Sequence, residues 1–372
     1  MAAAQGPGMG QNASAYLLSA ARRAQIERYC LSNRLLELIV FTTEQCNFRC
    51  TYCYEDFAIG RMSDDTSTAI CRVIDRRAAG LDGLHISYFG GEPLLNLKAI
   101  RAISAHAGAL GMERGFRFTA AATTNGYMLD PMLLAELVGL GCDTFQISLD
   151  GWGEDHDRTR RQRNGSGSFD RIWKNLVAAR ATSLAFNMTL RVHVMPGNAG
   201  SLMTLVDAIN RELDDDRFVV HFKLVGQWGG THVDHPEVYR PGADDLAELY
   251  SRLLARSHRS RDLGLDEVGG GSGGVPEQHV GAEGATGGDM PYICYASRAN
   301  SFAIRANGRV NKCTVALNSP SNDIGYIDPS GDIVIDSARL LPWLGGLTTL
   351  DPDHLGCPAA HMTLERLATE VG

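Results

Sequence analysis

The segment Leu36-Glu37-Leu38-Ile39-Val40-Phe41-Thr42-Thr43-Glu44-Gln45-Cys46-Asn47-Phe48-Arg49-Cys50-Thr51-Tyr52-Cys53-Tyr54 decides the fold of this chain. Its first six residues, apolar apart from Glu37, form a short β-rich run of the kind that becomes a strand. Three cysteines then follow in Cys-x3-Cys-x2-Cys spacing, on the loop that leaves that strand. Three thiolates on one short loop can each hold one iron of a cubane cluster and leave the fourth iron open. An open coordination position is what lets a metal centre bind a further ligand. A structural zinc site would close with a fourth Cys or His at short spacing, and none lies nearby.

Working outward, short β-rich runs alternate with amphipathic stretches, the pattern that builds a parallel sheet from βα units. Strands are expected at 36–41, 85–89, 117–123, 144–148, 190–194 and 219–224. Helices are expected near 65–79, 97–110, 131–140, 169–182, 201–213 and 243–256. Six units rather than eight predict a partial (β/α)6 TIM-like barrel, open on one side, with function at the carboxyl ends of its strands.

The cysteine loop, with the aromatic Tyr52 before its third cysteine, resembles the cluster-binding motif of the radical S-adenosylmethionine (SAM) superfamily. The resemblance implies a [4Fe–4S] cluster held by Cys46, Cys50 and Cys53 whose open iron is chelated by SAM. It also implies reductive cleavage of SAM to a 5′-deoxyadenosyl radical that abstracts a substrate hydrogen. After the second strand, Gly90-Gly91-Glu92-Pro93 resembles the Gly-Gly-Glu-Pro element of the same superfamily. The glycines would allow close backbone approach to a ligand, and Glu92 would accept from the SAM ammonium; an ordinary strand-to-helix turn has the same composition. Asn125, after the third strand, and Ser148 and Asp150, after the fourth, have short polar side chains suited to ribose hydroxyls or the methionyl carboxylate. Asn-Gly and Asp-Gly are also routine turn formers. His156-Asp157-Arg158-Thr159-Arg160 resembles a stretch of the peptide-modifying branch, in which Arg160 would clamp a carboxylate. A solvated charged helix start reads the same way. Arg191 on the fifth strand is an analogous candidate. No catalytic acid or base stands out.

The net charge of −8 argues against non-specific binding to nucleic acid or anionic membrane. No apolar run approaches the roughly 18 residues a membrane span needs, and the N-terminus lacks the pattern of an export signal. Nine cysteines, an odd number, favour reduced thiols or metal ligands and a cytoplasmic setting over a disulfide framework. The chain is expected to divide into a disordered tail and lead-in (1–30), the barrel (31–256), a Gly-rich flexible linker (257–290) and a small β-rich domain (291–372). In the last, Asn307-Gly308 predicts a hairpin with a type I′ turn, and a second hairpin turns at Asp328-Pro329-Ser330-Gly331.

Cys30, Cys71 and Cys142 stand singly and are expected in the core. Cys294, Cys313 and Cys357 resemble the cysteine pattern of the SPASM and twitch domains that follow many radical SAM barrels. Having fewer cysteines than a full SPASM domain, they imply one auxiliary [4Fe–4S] cluster, with an open iron or a non-cysteine ligand such as His361. Structural thiols are the alternative. The resemblance points to a maturase that cross-links side chains of a ribosomally made precursor peptide, with flavodoxin or ferredoxin as reductant. A SAM enzyme acting on a small biosynthetic intermediate and an iron–sulfur electron carrier are the alternatives, the latter having no need of an amine-binding Gly-Gly-Glu-Pro.

Overall fold

Strand β1 (Leu35–Thr43) is buried from Leu36 onward, which explains why it is apolar from Leu36 to Phe41 apart from Glu37, whose buried carboxylate pairs with Arg298 at 2.7 Å: a parallel strand covered on both faces has no polar side to present. In the computed structural model, which describes residues 20–195, 197–225, 244–260 and 292–362, five parallel strands follow it in sequence order. They are β2 (Gly83–Gly90), β3 (Arg117–Thr124), β4 (Cys142–Leu149), β5 (Asn187–Val194) and β6 (Phe218–Leu224). Helix α1 (Ala20–Leu31) leads in, and α2 (Asp64–Ala78), α3 (Leu97–Arg114) and α4 (Pro131–Gly139) return the chain between strands. A short α5 (Glu154–Thr159) and α6 (Phe169–Arg180) follow β4, then α7 (Ala199–Glu212) follows β5 and α8 (Asp244–Arg256) follows β6. Two helix starts carry side-chain caps: Ser63 accepts from Thr66 N at α2, and Asp130 accepts from Met132 N and Leu133 N ahead of Pro131 at α4.

All six expected strands lie within observed ones, and β6 does not pair with β1, so the sheet stays open as a partial (β/α)6 barrel. The free edge of β1 is taken instead by β7 (Ser301–Ile304), parallel, with Glu37 opposite Ser301 and Val40 opposite Ile304. β8 (Arg309–Asn311), β9 (Asp323–Ile327) and β10 (Ile333–Ile335) then add antiparallel. The C-terminal strands thus continue the barrel's own sheet, and Phe302, Ala303, Ile304 and Val310 belong to the same apolar core as Leu38, Ile86 and Phe145.

Three local expectations need correction. Gly308 alone of its turn takes a positive φ (82°), and Gly308 N donates to Arg305 O at 2.9 Å. The connection is therefore a type I turn closed by a left-handed glycine, not type I′. The lead-in expected to be disordered contains α1, held because Ile26 and Cys30 are fully buried against Ile293, Leu350 and Leu355; residues 1–19 lie outside the described residues. Cys142 is fully buried as expected, whereas Cys71 on α2 is only partly so. The linker expected over 257–290 falls outside the described residues from 261 onward.

Candidate active site

The carboxyl ends of β1 to β6 surround one cavity. β1 supplies the cysteine loop, with Cys46, Cys50 and Cys53 in the wall beside Phe48, Tyr52 and Tyr54. That loop is held by the segment after α5. Arg49 N donates to Arg161 O (2.9 Å), Thr51 N to Thr159 O (3.0 Å) and Arg163 N to Asn47 O (2.7 Å), while Phe48 forms an antiparallel bridge with Gln162. Asn125 at the end of β3 ties it further, donating from Nδ2 to Asn47 Oδ1 at 2.8 Å.

Burial pushes all three thiols up, Cys53 to about 12, and each is also raised by at least one neighbouring anionic group. Cys46 feels Cys50 and Cys53, and Cys53 feels Cys50. Three adjacent, partly buried thiols in a cavity wall fit a group that brings its own positive charge. No three His, Cys, Asp or Glu side chains among the described residues converge on a single metal ion. Thiolates that each bind a different iron of one cluster need no such convergence.

Gly90 and Gly91 line the cavity at the end of β2, but what requires glycine is the chain itself. A Cβ on Gly90, whose φ is 113°, would lie 2.1 Å from Thr43 O; one on Gly91 would lie 2.6 Å from Gln45 O. The β2 loop is zipped onto the entry of the cysteine loop by Gly91 N to Thr43 O (3.1 Å) and Glu92 N to Gln45 O (3.0 Å). The close approach is between two backbones.

Glu92 departs from its expected position as an amine acceptor in the cavity wall. It is fully buried, and its carboxylate accepts from Leu94 N (3.0 Å), Thr124 Oγ1 (2.7 Å) and Asn125 N (2.7 Å). It joins the ends of β2 and β3. Pro93, also buried, opens a 3-10 turn and accepts from Thr42 Oγ1 at 2.9 Å. Asp150 is likewise enclosed, away from the cavity wall. It accepts from Tyr52 Oη (2.7 Å), Thr159 Oγ1 (2.6 Å) and His193 Nδ1 (2.9 Å). Burial alone would raise its carboxyl, but His193, Arg160 and His156 hold it well below the usual carboxylate range.

Asn125, Ser148, Arg160 and Arg191 do line the cavity. Arg160 donates from Nη1 to Tyr52 Oη at 2.9 Å, and its Nε has no partner among the described residues. Arg191 Nε is also unpartnered among the described residues, and burial pulls its guanidinium below the usual range. His156 and Asp157 are structural. His156 accepts from Asp150 N (3.3 Å) and pairs with Ser168 Oγ (3.2 Å), and Asp157 Oδ1 accepts from Ser168 N and Phe169 N at the start of α6. Sequence reasoning passed over Gln146, His193, Glu55 and Phe57, all in the cavity wall. His193 stands two residues after Arg191 on a strand and so shares its face, a signal available from the sequence.

Cys294, Cys313 and Cys357 act electrostatically on one another without converging, among the described residues, on a single metal-ion position. Burial pushes Cys294 up to about 12, with Cys313 and Cys357 adding to the rise. Cys294 precedes a 3-10 turn, Cys313 follows β8, and Cys357 ends a short helix, Pro352–Gly356. The ring of His361 stacks on that of His354 at 4.5 Å. No helix among the described residues is long and apolar enough to cross a membrane.

Residues 40–207 match the family model of the radical SAM superfamily. A PqqA peptide cyclase of Gluconobacter oxydans is 24% identical over 76% of this chain and 70% of its own length. One from Xanthomonas campestris is 29% identical over 62% of this chain and 56% of its own. Among solved structures, anSMEcpe with bound AdoMet superimposes with a TM-score of 0.58 at 16% identity, over 82% of this chain and 80% of that one. Streptococcus suis SuiB bound to precursor peptide SuiA gives 0.55 at 17%, over 87% and 69%.

Proposed function

With residues 40–207 a radical SAM domain, we propose that this chain is an enzyme that cross-links side chains within a ribosomally made precursor peptide. The observation that carries the reading is the meeting of Cys46, Cys50 and Cys53 with two under-partnered guanidiniums, Arg160 and Arg191, around one cavity at the strand ends. When bound there, a [4Fe–4S] cluster with SAM supplies an electron for SAM cleavage and a radical for hydrogen abstraction. The chain's own part is to hold and shield. The three cysteines would ligate the cluster. Arg160, Arg191, Ser148 and Asn125, with the backbone at Gly90 and Gly91, would orient SAM. Glu92, Pro93 and Asp150 would act behind them, fixing the loops from which those groups project.

The peptide substrate is supported by relatives named for peptide cyclisation, each matched over only part of its length. Among the described residues the sheet is not closed between its two end strands, β6 and β10, and an extended chain could enter there. Cys294, Cys313 and Cys357 would carry one auxiliary cluster in a unit spanning 291–372, and a flavodoxin or ferredoxin would deliver the electron. The test is anaerobic incubation of the reduced, iron-loaded enzyme with SAM and the product of a short open reading frame beside its gene. Mass spectrometry should show a peptide lighter by two hydrogens. Release of 5′-deoxyadenosine with every neighbouring peptide unchanged would refute the peptide assignment.

A further inference from the structure

Glu55 follows the third cysteine of the loop by two positions and lines the cavity, and no role above uses it. It is 7% exposed, and neither carboxyl oxygen has a hydrogen-bond partner among the described residues. The other buried carboxylates around the site are matched: Glu92 and Asp150 by three donors each, and Glu44 by Arg305 and Ala306 N. A buried carboxyl with no donor is strongly unfavourable unless something else supplies one. The charged groups that act on it are Glu44, Arg305 and Asp56. Arg305 is already committed to Glu44 and to Leu317 O, so three carboxylates share one guanidinium. The local deficit is of positive charge.

The backbone beside it is an independent sign. Phe57 also lines the cavity and holds a φ of 59°, a conformation uncommon for a bulky side chain and typical of positions constrained by function. The turn is fixed from both sides. Gln45 Nε2 donates to Phe57 O at 2.6 Å, the Arg49 guanidinium lies 4.1 Å from the centre of the Phe57 ring, and Asn318 Nδ2 donates to Asp56 Oδ2 at 3.0 Å. Asn318 belongs to the C-terminal segment, so the turn stands where the barrel wall meets that segment.

We infer that Glu55 is a specificity-determining residue that receives a cationic Lys or Arg side chain of the peptide substrate, with the Phe57 ring covering its aliphatic stem. The inference rests on the peptide reading above. SAM carries an ammonium too, and Glu55 and Arg160 both act electrostatically on Cys53, so the titrations below read SAM and peptide binding separately.

The test is calorimetric titration of the iron-loaded full chain with SAM, and then, in the presence of SAM, with acetylated alanine pentapeptide amides carrying a central Lys, Arg, norleucine or Glu. The wild type should prefer the Lys and Arg peptides over the norleucine peptide by about tenfold, the scale of one charge-assisted hydrogen bond. Glu55→Gln should lose the preference, and Glu55→Lys should turn it toward the Glu peptide. The inference is overturned if the four peptides bind alike, if none binds, or if the preference survives in Glu55→Gln. A fall in SAM affinity without a change in peptide preference would overturn it too, assigning Glu55 to SAM. Failure of the enzyme reading itself would appear separately, as no 5′-deoxyadenosine from the wild type.

Discussion

Replacing Arg305 by Met tests how the C-terminal strands are joined to the cysteine loop. Arg305 lies in the turn between β7 and β8, and its guanidinium pairs with both oxygens of Glu44, the residue two before Cys46; Nη1 also donates to Leu317 O at 2.8 Å. Glu44 is fully buried. Without Arg305 its carboxylate keeps, among the described residues, only Ala306 N at 3.3 Å, and it stands near the Glu55 carboxyl. Removing one partner of a buried pair costs about 3–5 kcal/mol, because the other charge is left uncompensated. Urea unfolding followed by circular dichroism under anaerobic conditions should show that loss for Arg305→Met. The double variant Arg305→Met/Glu44→Gln should recover much of it, since the stranded charge is gone. Arg34→Met is the internal control: its pair with Asp82 is 67% and 54% exposed, where ion pairs contribute about 0–1 kcal/mol. If Arg305→Met cost no more than Arg34→Met, the strands would be held by packing alone and the reasoning about a buried ionic joint would be wrong.

Three further outcomes follow from single residues. Burial holds His156 down at about 4, below its ordinary 6.5, so the unfolded chain binds the extra proton first: stability should fall by about 3 kcal/mol as pH drops from 6.5 to 4 and level off below. His156→Gln should flatten that slope in pH-dependent urea titrations; an unchanged slope would assign it to other groups. Gly90→Ala should destabilise by about 2 kcal/mol or more and lower iron content, because the new Cβ meets Thr43 O at 2.1 Å in a left-handed conformation; a normal melting profile would refute the backbone-contact argument. Cys313→Ala should lower iron content while the barrel site still cleaves SAM, and wild-type iron in that variant would leave Cys294, Cys313 and Cys357 as structural thiols.

The barrel was legible because its strands are buried on both faces and its helices amphipathic, so the period changes sharply at each boundary. The cysteine loop was legible because its three ligands are adjacent in sequence. What escaped depends on contacts between distant segments. Glu92 and Asp150 sit at strand ends as expected, yet their carboxylates turn into the protein toward Thr124, Asn125, Tyr52 and His193, partners that only the fold assembles. Helix α1 is short and rich in arginine, and two buried residues, Ile26 and Cys30, meet partners more than 260 positions away. The addition of β7 to β1 is a long-range parallel pairing that no local pattern announces. The separation of Arg160 from His156 and Asp157 was unreadable for the same reason: all three lie in one motif, and only Arg160 reaches the cavity.

The most direct test of the central claim is 5′-deoxyadenosine formation by the reduced, iron-loaded chain, compared with a variant in which Cys46, Cys50 and Cys53 are all replaced by Ala. The account predicts release by the wild type and none by the variant, whose iron should fall by about four atoms per chain while the Cys294, Cys313 and Cys357 site keeps its own. A triple variant that still released 5′-deoxyadenosine, or that kept all its iron, would contradict the assignment of this loop as the seat of the chemistry.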